Sequence, residues 1–343
     1  MNCLERVSNR LQGRSVDRPP NFDIMMTFAA HHAGHRLREY YLDHRVLVES
    51  NLRVAGDFDL DIVQAISDPY REAADLGLAV EFPDDGLPVS KQPLLATPED
   101  LQRLTPIRPE EGRRMSDRIG ALELFKTEVG GVIPIMGWVE GALAEAADLR
   151  GMHNLMIDLH DRPEWVEQLL EFLVEIEVGF ARAQVRAGAD IIGLGDAVAS
   201  QISPAMYREF ALPYEQRIFQ AVKELGAVAR LHICGDTTHL VDDMKESGAD
   251  ILDLDWMVDF ATAAASYGDH PVLCGNFDPV AVMLQGTEQQ VYDATHACLK
   301  AGGERCFSMA GCEIPDKTPV ENLHAQSRAL WDFGGAAGLH GSC

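Results

Sequence analysis

The sequence predicts a single (β/α)8 barrel on three observations. Short apolar runs alternate with helical stretches from end to end, eight such runs can be counted, and neither an internal repeat nor a domain boundary interrupts the 343 residues. Barrels with insertions fill this length as one unit. Apolar residues make up 46% of the chain and charged residues 24%, so a large core is available.

The candidate strands begin near Asn21, Leu60, Ile133, Ile191, Ala229, Ile251, Pro271 and Arg305. Between them, Thr97-Pro98 and Ser203-Pro204 each read as a capping residue followed by proline at the first helical position. The longest helix is expected from Pro163, where Trp165, Leu169, Phe172, Leu173, Ile176 and Phe180 recur at three- and four-residue intervals until Gly188. Residues 69 to about 130 are long for one connection and predict a small lobe over the barrel mouth. Gly334 to Cys343 reads as a frayed tail.

Subtracting 54 acidic side chains from 29 basic ones leaves −25, which argues against nucleic acid, anionic membranes and polyanionic substrates as partners. No apolar run approaches the roughly 18 residues of a membrane span, and a cytoplasmic protein is expected. Seven scattered cysteines look unlike a disulfide framework and more like reduced thiols.

The sharpest local feature is Leu231-His232-Ile233-Cys234-Gly235-Asp236 at the end of the fifth strand, where period-two alternation puts His232 and Cys234 on one face. The eighth strand runs into Met309-Ala310-Gly311-Cys312 and delivers a third sulfur to the same mouth. Three such ligands with an open position describe a catalytic zinc site; the alternative is a buried cysteine beside a hydrogen-bonded histidine. Asp253 and Asp255 share a face of the sixth strand. Asp255 is a candidate fourth metal ligand, or both carboxylates orient the ligands from behind. Asp68, Glu140 and Asp196 lie at or just past strand ends, where each is either catalytic or a helix cap. His31, His32 and His35 cluster after the first strand, where substrate contact competes with simple solvation.

These residues, with Gly13-Arg14-Ser15-Val16-Asp17-Arg18-Pro19-Pro20, Gly195-Asp196-Ala197-Val198-Ala199-Ser200 and Cys274-Gly275-Asn276-Phe277-Asp278-Pro279, resemble the uroporphyrinogen decarboxylase superfamily over nearly the whole chain. Within it, Ala310-Gly311-Cys312-Glu313-Ile314-Pro315 is similar to the methylcobalamin:coenzyme M methyltransferase branch. The resemblance implies zinc on His232, Cys234 and Cys312, and a methylcobalamin donor carried by a separate corrinoid protein. It also implies a small acceptor, a thiol such as coenzyme M or else tetrahydrofolate, with Asn276 and Asp278 as cofactor-contacting positions. True decarboxylases hold their octacarboxylate tetrapyrrole with arginines after the first strand. Here Ala30-His31-His32-Ala33-Gly34-His35 replaces that segment, and the tyrosine expected after strand three is missing near Asp148, although Asp68 matches the decarboxylase aspartate. Decarboxylation is therefore the lesser enzymatic expectation. A non-enzymatic corrinoid-protein partner with a structural, four-ligand zinc is the remaining one.

Overall fold

The computed structural model describes residues 1–268 and 270–335; the expected tail lies, beyond Gly335, outside the described residues. Its strands are β1 (Val63–Gln64), β2 (Val80–Glu81), β3 (Val89–Ser90), β4 (Ile135–Glu140), β5 (Ile191–Gly195), β6 (Val228–His232), β7 (Ile251–Asp253), β8 (Val272–Phe277) and β9 (Cys306–Ala310). Seven pair in parallel in the order β1-β4-β5-β6-β7-β8-β9. The eighth place is taken by residues 20–24. The Phe22 amide donates to the Ser308 carbonyl at 2.8 Å and the Asp61 amide donates to the Asn21 carbonyl at 2.9 Å, so this segment joins β9 to the β1 side and closes the barrel. All eight expected strands are in place, although the first pairs only through an isolated bridge.

Alternation along each strand fills the barrel with one apolar cluster that includes Phe22, Met136, Trp138, Ile191, Val272 and Met309. Arg230 is buried among them, paired with Asp253 and stacked over the Phe22 ring at 5.2 Å. The other strand face packs on helices. Pro163–Ala187 buries Leu169, Leu173, Ile176 and Phe180 along one stripe, as its periodicity predicts.

Two features depart from the sequence reading. A helix at Cys3–Leu11, capped by Asn2 and Glu5, sends Val7 into the barrel cluster and closes the end opposite the site. Arg6 and Arg18 both pair with buried Asp61, so the Asp17-Arg18 motif braces the barrel floor. Second, Cys234, Cys274, Cys298, Cys306 and Cys312 are free thiols whereas Cys3 is disulfide-bonded, so the expectation of reduced thiols fails at that residue.

Residues 69–130 form the expected lobe: the antiparallel β2–β3 hairpin, a 3-10 turn at Pro98–Arg103 with Thr97 as its cap, and the helix Arg113–Val129. No helix among the described residues is long and apolar enough to cross a membrane.

Candidate metal centre

His232 is the last residue of β6, Cys234 lies in the following turn, and Cys312 lies two residues past β9. His232 Nε2 stands 3.0 Å from Cys234 Sγ and 3.8 Å from Cys312 Sγ, and the sulfurs are 3.3 Å apart. Zinc bound tetrahedrally at about 2.3 Å from sulfur and about 2.0 Å from nitrogen separates two sulfurs by about 3.8 Å and sulfur from nitrogen by about 3.5 Å. The three separations lie near these values, so the donor set fits that ion.

The trio is held from behind. His232 Nδ1 faces Asp253 Oδ2 at 2.9 Å, and Asp253 also accepts from Arg230 Nε at 2.9 and 3.0 Å. Burial alone raises the Asp253 carboxyl, but Arg230 and His232 outweigh it and hold it below the usual range. The same Asp253 contact, with Cys312, overcomes the burial penalty on the imidazolium and lifts His232 to about 10. Cys312, bonded by Cys234 and His232, is drawn down to about 4, while Cys234 is pushed up by bonding to Cys312 and by burial. Glycines set the flanking turns: Gly235 has φ 96°, and a β carbon on Gly311 would come within 2.3 Å of the Trp256 amide.

Asp255 is not brought into the trio, whose three ligand atoms lie within 4.8 Å of one another. Its oxygens accept from the Gly235 amide at 2.9 Å and the Met257 amide at 3.2 Å, so it braces the turn carrying Cys234. Asn276 donates to the Asp255 and Val258 carbonyls, and Asp278 caps the turn at Pro279–Leu284. Both order loops at the mouth, and neither is among the residues lining the cavity over the trio.

That cavity, about 200 Å³, has Ile24, Met26, Ile66 and Trp138 as apolar walls and Asp68, Arg71, Glu140 and Glu313 as polar ones. A second space of about 510 Å³ shares Pro69, Glu140 and Ala197 with it and extends over Tyr70, Lys91 and Asp148. Arg71 Nη2 donates to Glu140 Oε1 at 2.8 Å. Burial, reinforced by Glu72 and only partly offset by Arg71, raises Glu140 to about 7; burial and the neighbouring carboxylates raise Asp148 to about 8. Asp68 is bonded by Arg114, Ser67 and the Tyr70 amide, and its arginine neighbours outweigh burial to hold its carboxyl low. Asp196 does not reach the cavity. It is fully buried against Gly141, and burial and Glu215 raise it, only partly offset by the Ala144 amide.

Sequence reasoning missed Arg71, Trp138 and Glu313 as wall residues, although Trp138 alternates with Glu140 and Glu313 follows Cys312. His31 is tied to Asp85 and Asp316, His32 to Asp57 and His35 to Glu49, so the histidine cluster is engaged by carboxylates of this chain.

A family model described as uroporphyrinogen decarboxylase (URO-D) matches residues 3–331. A uroporphyrinogen decarboxylase from Nostoc punctiforme is 31% identical over 327 residues, 91% of each chain. A methylcobamide:CoM methyltransferase from Methanosarcina acetivorans is 30% identical over 332 residues, 93% of this chain and 94% of that one. Among solved structures, a methyltransferase from Methanosarcina mazei superposes with a TM-score of 0.88 at 23% identity, covering 97% of this chain and 99% of its own.

Proposed function

The chain belongs to the uroporphyrinogen decarboxylase family, and from that premise we propose that it is a zinc-dependent methyltransferase moving a methyl group from a methylated corrinoid protein to a small thiol. The relatives include both decarboxylases and methyltransferases at nearly equal identity, so overall similarity does not choose between the activities. The chemistry of the site supports the methyltransferase reading. The observation that carries the reading is the convergence of His232 Nε2, Cys234 Sγ and Cys312 Sγ, with Asp253 behind the imidazole.

His232, Cys234 and Cys312 would hold the zinc, which when bound would favour an acceptor thiol as its thiolate near neutral pH. Asp253 fixes the ring so that Nε2 faces the two sulfurs, and Asp255 fixes the Gly235 turn that presents Cys234. The apolar walls at Ile24, Met26 and Trp138 keep water from competing with the acceptor. In the transfer, the acceptor sulfur forms the new bond to carbon and the cobalt–carbon bond breaks with its electron pair left on the corrinoid. The acceptor's proton passes to solvent.

Decarboxylation of an octacarboxylate is disfavoured by the same walls. The polar walls of the two adjoining spaces are mainly carboxyl groups, and the histidines in place of the recognising arginines are already paired with acids.

The test is zinc content and X-ray absorption at the zinc edge, on wild type and Cys312→Ser, with and without 2-mercaptoethanesulfonate or 2-mercaptoethanol. One zinc per chain, one sulfur ligand lost in the variant and one gained on adding thiol is the expected result. Protein that binds no zinc, or a site with four protein ligands unmoved by any thiol, overturns it.

A further inference from the structure

Resting on the methyltransferase reading, the walls of the cavity indicate which thiol the site takes. Two cations line the paired cavities, and both are committed: Arg71 donates to Glu140 and to the Asp68 carbonyl, and Lys91 is paired with Glu81. Against them stand Asp68, Glu140, Glu313 and Asp148. Asp68 and Glu313 are satisfied within the protein, the first by Arg114 and Ser67 and the second by the Thr27 amide and hydroxyl. Glu140 is different. Its Oε1 is held by Arg71, whereas its Oε2 points to the gap above Gly195, where a β carbon would stand 3.4 Å from it.

That same β carbon would stand 3.0 Å from the Trp138 ring. The indole edge and the Glu140 carboxylate therefore open on one space, which exists because residue 195 has no side chain. Trp138 also leads to the metal trio, its ring centroid 6.1 Å from that of His232. From the metal outward the order is thus His232, Trp138, the Gly195 gap with Glu140, and then Asp148 in the wider space beyond. An aromatic wall backed by carboxylates attracts cations and repels anions.

We propose that the acceptor is an aminothiol: its sulfur goes to the metal and its ammonium lies in the gap between Trp138 and Glu140, facing Asp148, so that a thiol ending in sulfonate or carboxylate is the poorer ligand. Arg71 is held by Glu140 and the Asp68 carbonyl, so a terminal anion would enter beside Glu140 and Asp148 with exposed Lys91 as the other permanent cation among the lining residues. Burial keeps Glu140 and Asp148 protonated up to about pH 7 and 8, and an ammonium seated between them takes the place of those protons, leaving the carboxylates ionised around it.

The experiment titrates zinc-loaded protein at pH 8.5, where Glu140 and Asp148 are ionised, with three two-carbon thiols that differ at the far end: 2-aminoethanethiol, 2-mercaptoethanol and 2-mercaptoethanesulfonate. Binding is read by calorimetry and by the sulfur count at the zinc edge, in wild type, Glu140→Gln and Asp148→Asn. At an effective dielectric of about 20 a contact between unit charges changes binding by on the order of tenfold or more. The expectation is that wild type binds the aminothiol at least about tenfold tighter than the sulfonate, and that the ratio falls at least about threefold in either variant. Because the three thiols differ in intrinsic acidity, a preference that persists unchanged in both variants belongs to the metal and overturns the proposal, as does a sulfonate that binds as well as the aminothiol. If none of the three adds a sulfur to the zinc, the methyltransferase reading itself fails, an outcome separate from either of these.

Discussion

On the β6–β7–β9 side of the barrel mouth, buried polarity closes on itself. Arg230 is paired with Asp253, Asp253 orients His232, and Asp255 accepts two amides. What is left over is one imidazole nitrogen and two sulfurs aimed at a common point. On the β1–β4 side, acids outnumber the groups that could pair with them. Arg71 serves both Glu72 and Glu140, while both oxygens of Glu145 and of Glu177 and Oε2 of Glu72 have no hydrogen-bond partner among the described residues. The first side is arranged for a soft cation. The second holds protons, because buried carboxyls lacking partners are stable only when neutral. A satisfied polar network and a crowded one, a few side chains apart, therefore do different things: one positions ligands, the other sets the charge of the wall they face.

The comparison breaks most decisively at the ligands. Cys234→Ala removes a metal donor without touching the acidic side, and zinc content should fall from one per chain to well below half. Methyl transfer should fall by at least about 100-fold, since a Lewis-acid centre is worth several kcal/mol. Retention of full zinc and activity would remove the basis for treating this side as a metal centre. Asp253→Asn should be the next largest. It leaves Arg230 buried without its carboxylate and frees the His232 ring, so zinc affinity measured by chelator competition should drop about 10–100-fold. Unfolding free energy should fall by about 3–5 kcal/mol. Asp253→Glu, which keeps the charge, should recover stability more than affinity if orientation is the role.

How much of this was legible in the sequence depends on range. His232, Cys234 and Cys312 could be placed because period-two alternation and strand ends are local properties, and strand ends in a barrel meet at one mouth. The division of labour between Asp253 and Asp255 could not, because both share a face; the register that pairs His232 with Asp253 decides it. Asn276 and Asp278 belong to a recognisable motif, yet they hold backbone, which a motif alone does not reveal. The acidic side was missed although one signal was available. Glu177 sits four residues after Leu173 and three before Phe180, on the stripe read as the helix's inner face, and its burial follows from that spacing. That it meets Glu72 and Glu145 is a long-range fact carried by how three helices pack.

The acidic side predicts a pH dependence. Glu140 and Asp148 have folded-state values near 7 and 8, above their unfolded values of about 4, so the folded chain binds more protons between these limits. Their contribution to stability is complete below about pH 4 and is lost as pH rises through 7 and 8, about 3 kcal/mol for Glu140 alone. Chemical denaturation should show the contribution of these two groups declining from about pH 4 to pH 8 and levelling off above. Glu177→Gln removes an acid whose charge is felt by Glu72, Glu145 and Glu140 and replaces a buried carboxyl with a neutral amide. It should raise stability at pH 8.5 by about 1–2 kcal/mol and flatten the decline. An unchanged slope would mean that the acids titrate independently of one another.

The smallest effect is expected where the family's decarboxylases place their substrate-binding cations. His31 joins Asp85 and Asp316, half-exposed groups whose ion pairs are worth at most about 1 kcal/mol, and the imidazole is no wall of the metal cavity. Burial lowers its pKa, but Asp85 and Asp316 together outweigh that and raise it, and each of its ring nitrogens already faces one of those acids. His31→Ala should leave zinc content, thiol affinity and methyl transfer within about twofold of wild type. A large loss would relocate substrate recognition to the segment after the first strand, where a polyanion would be read, and would make the carboxylate-poor character assigned to the acceptor untenable. Equality instead confines recognition to the space between Trp138, Glu140 and Asp148, which only the β4 side of the barrel supplies.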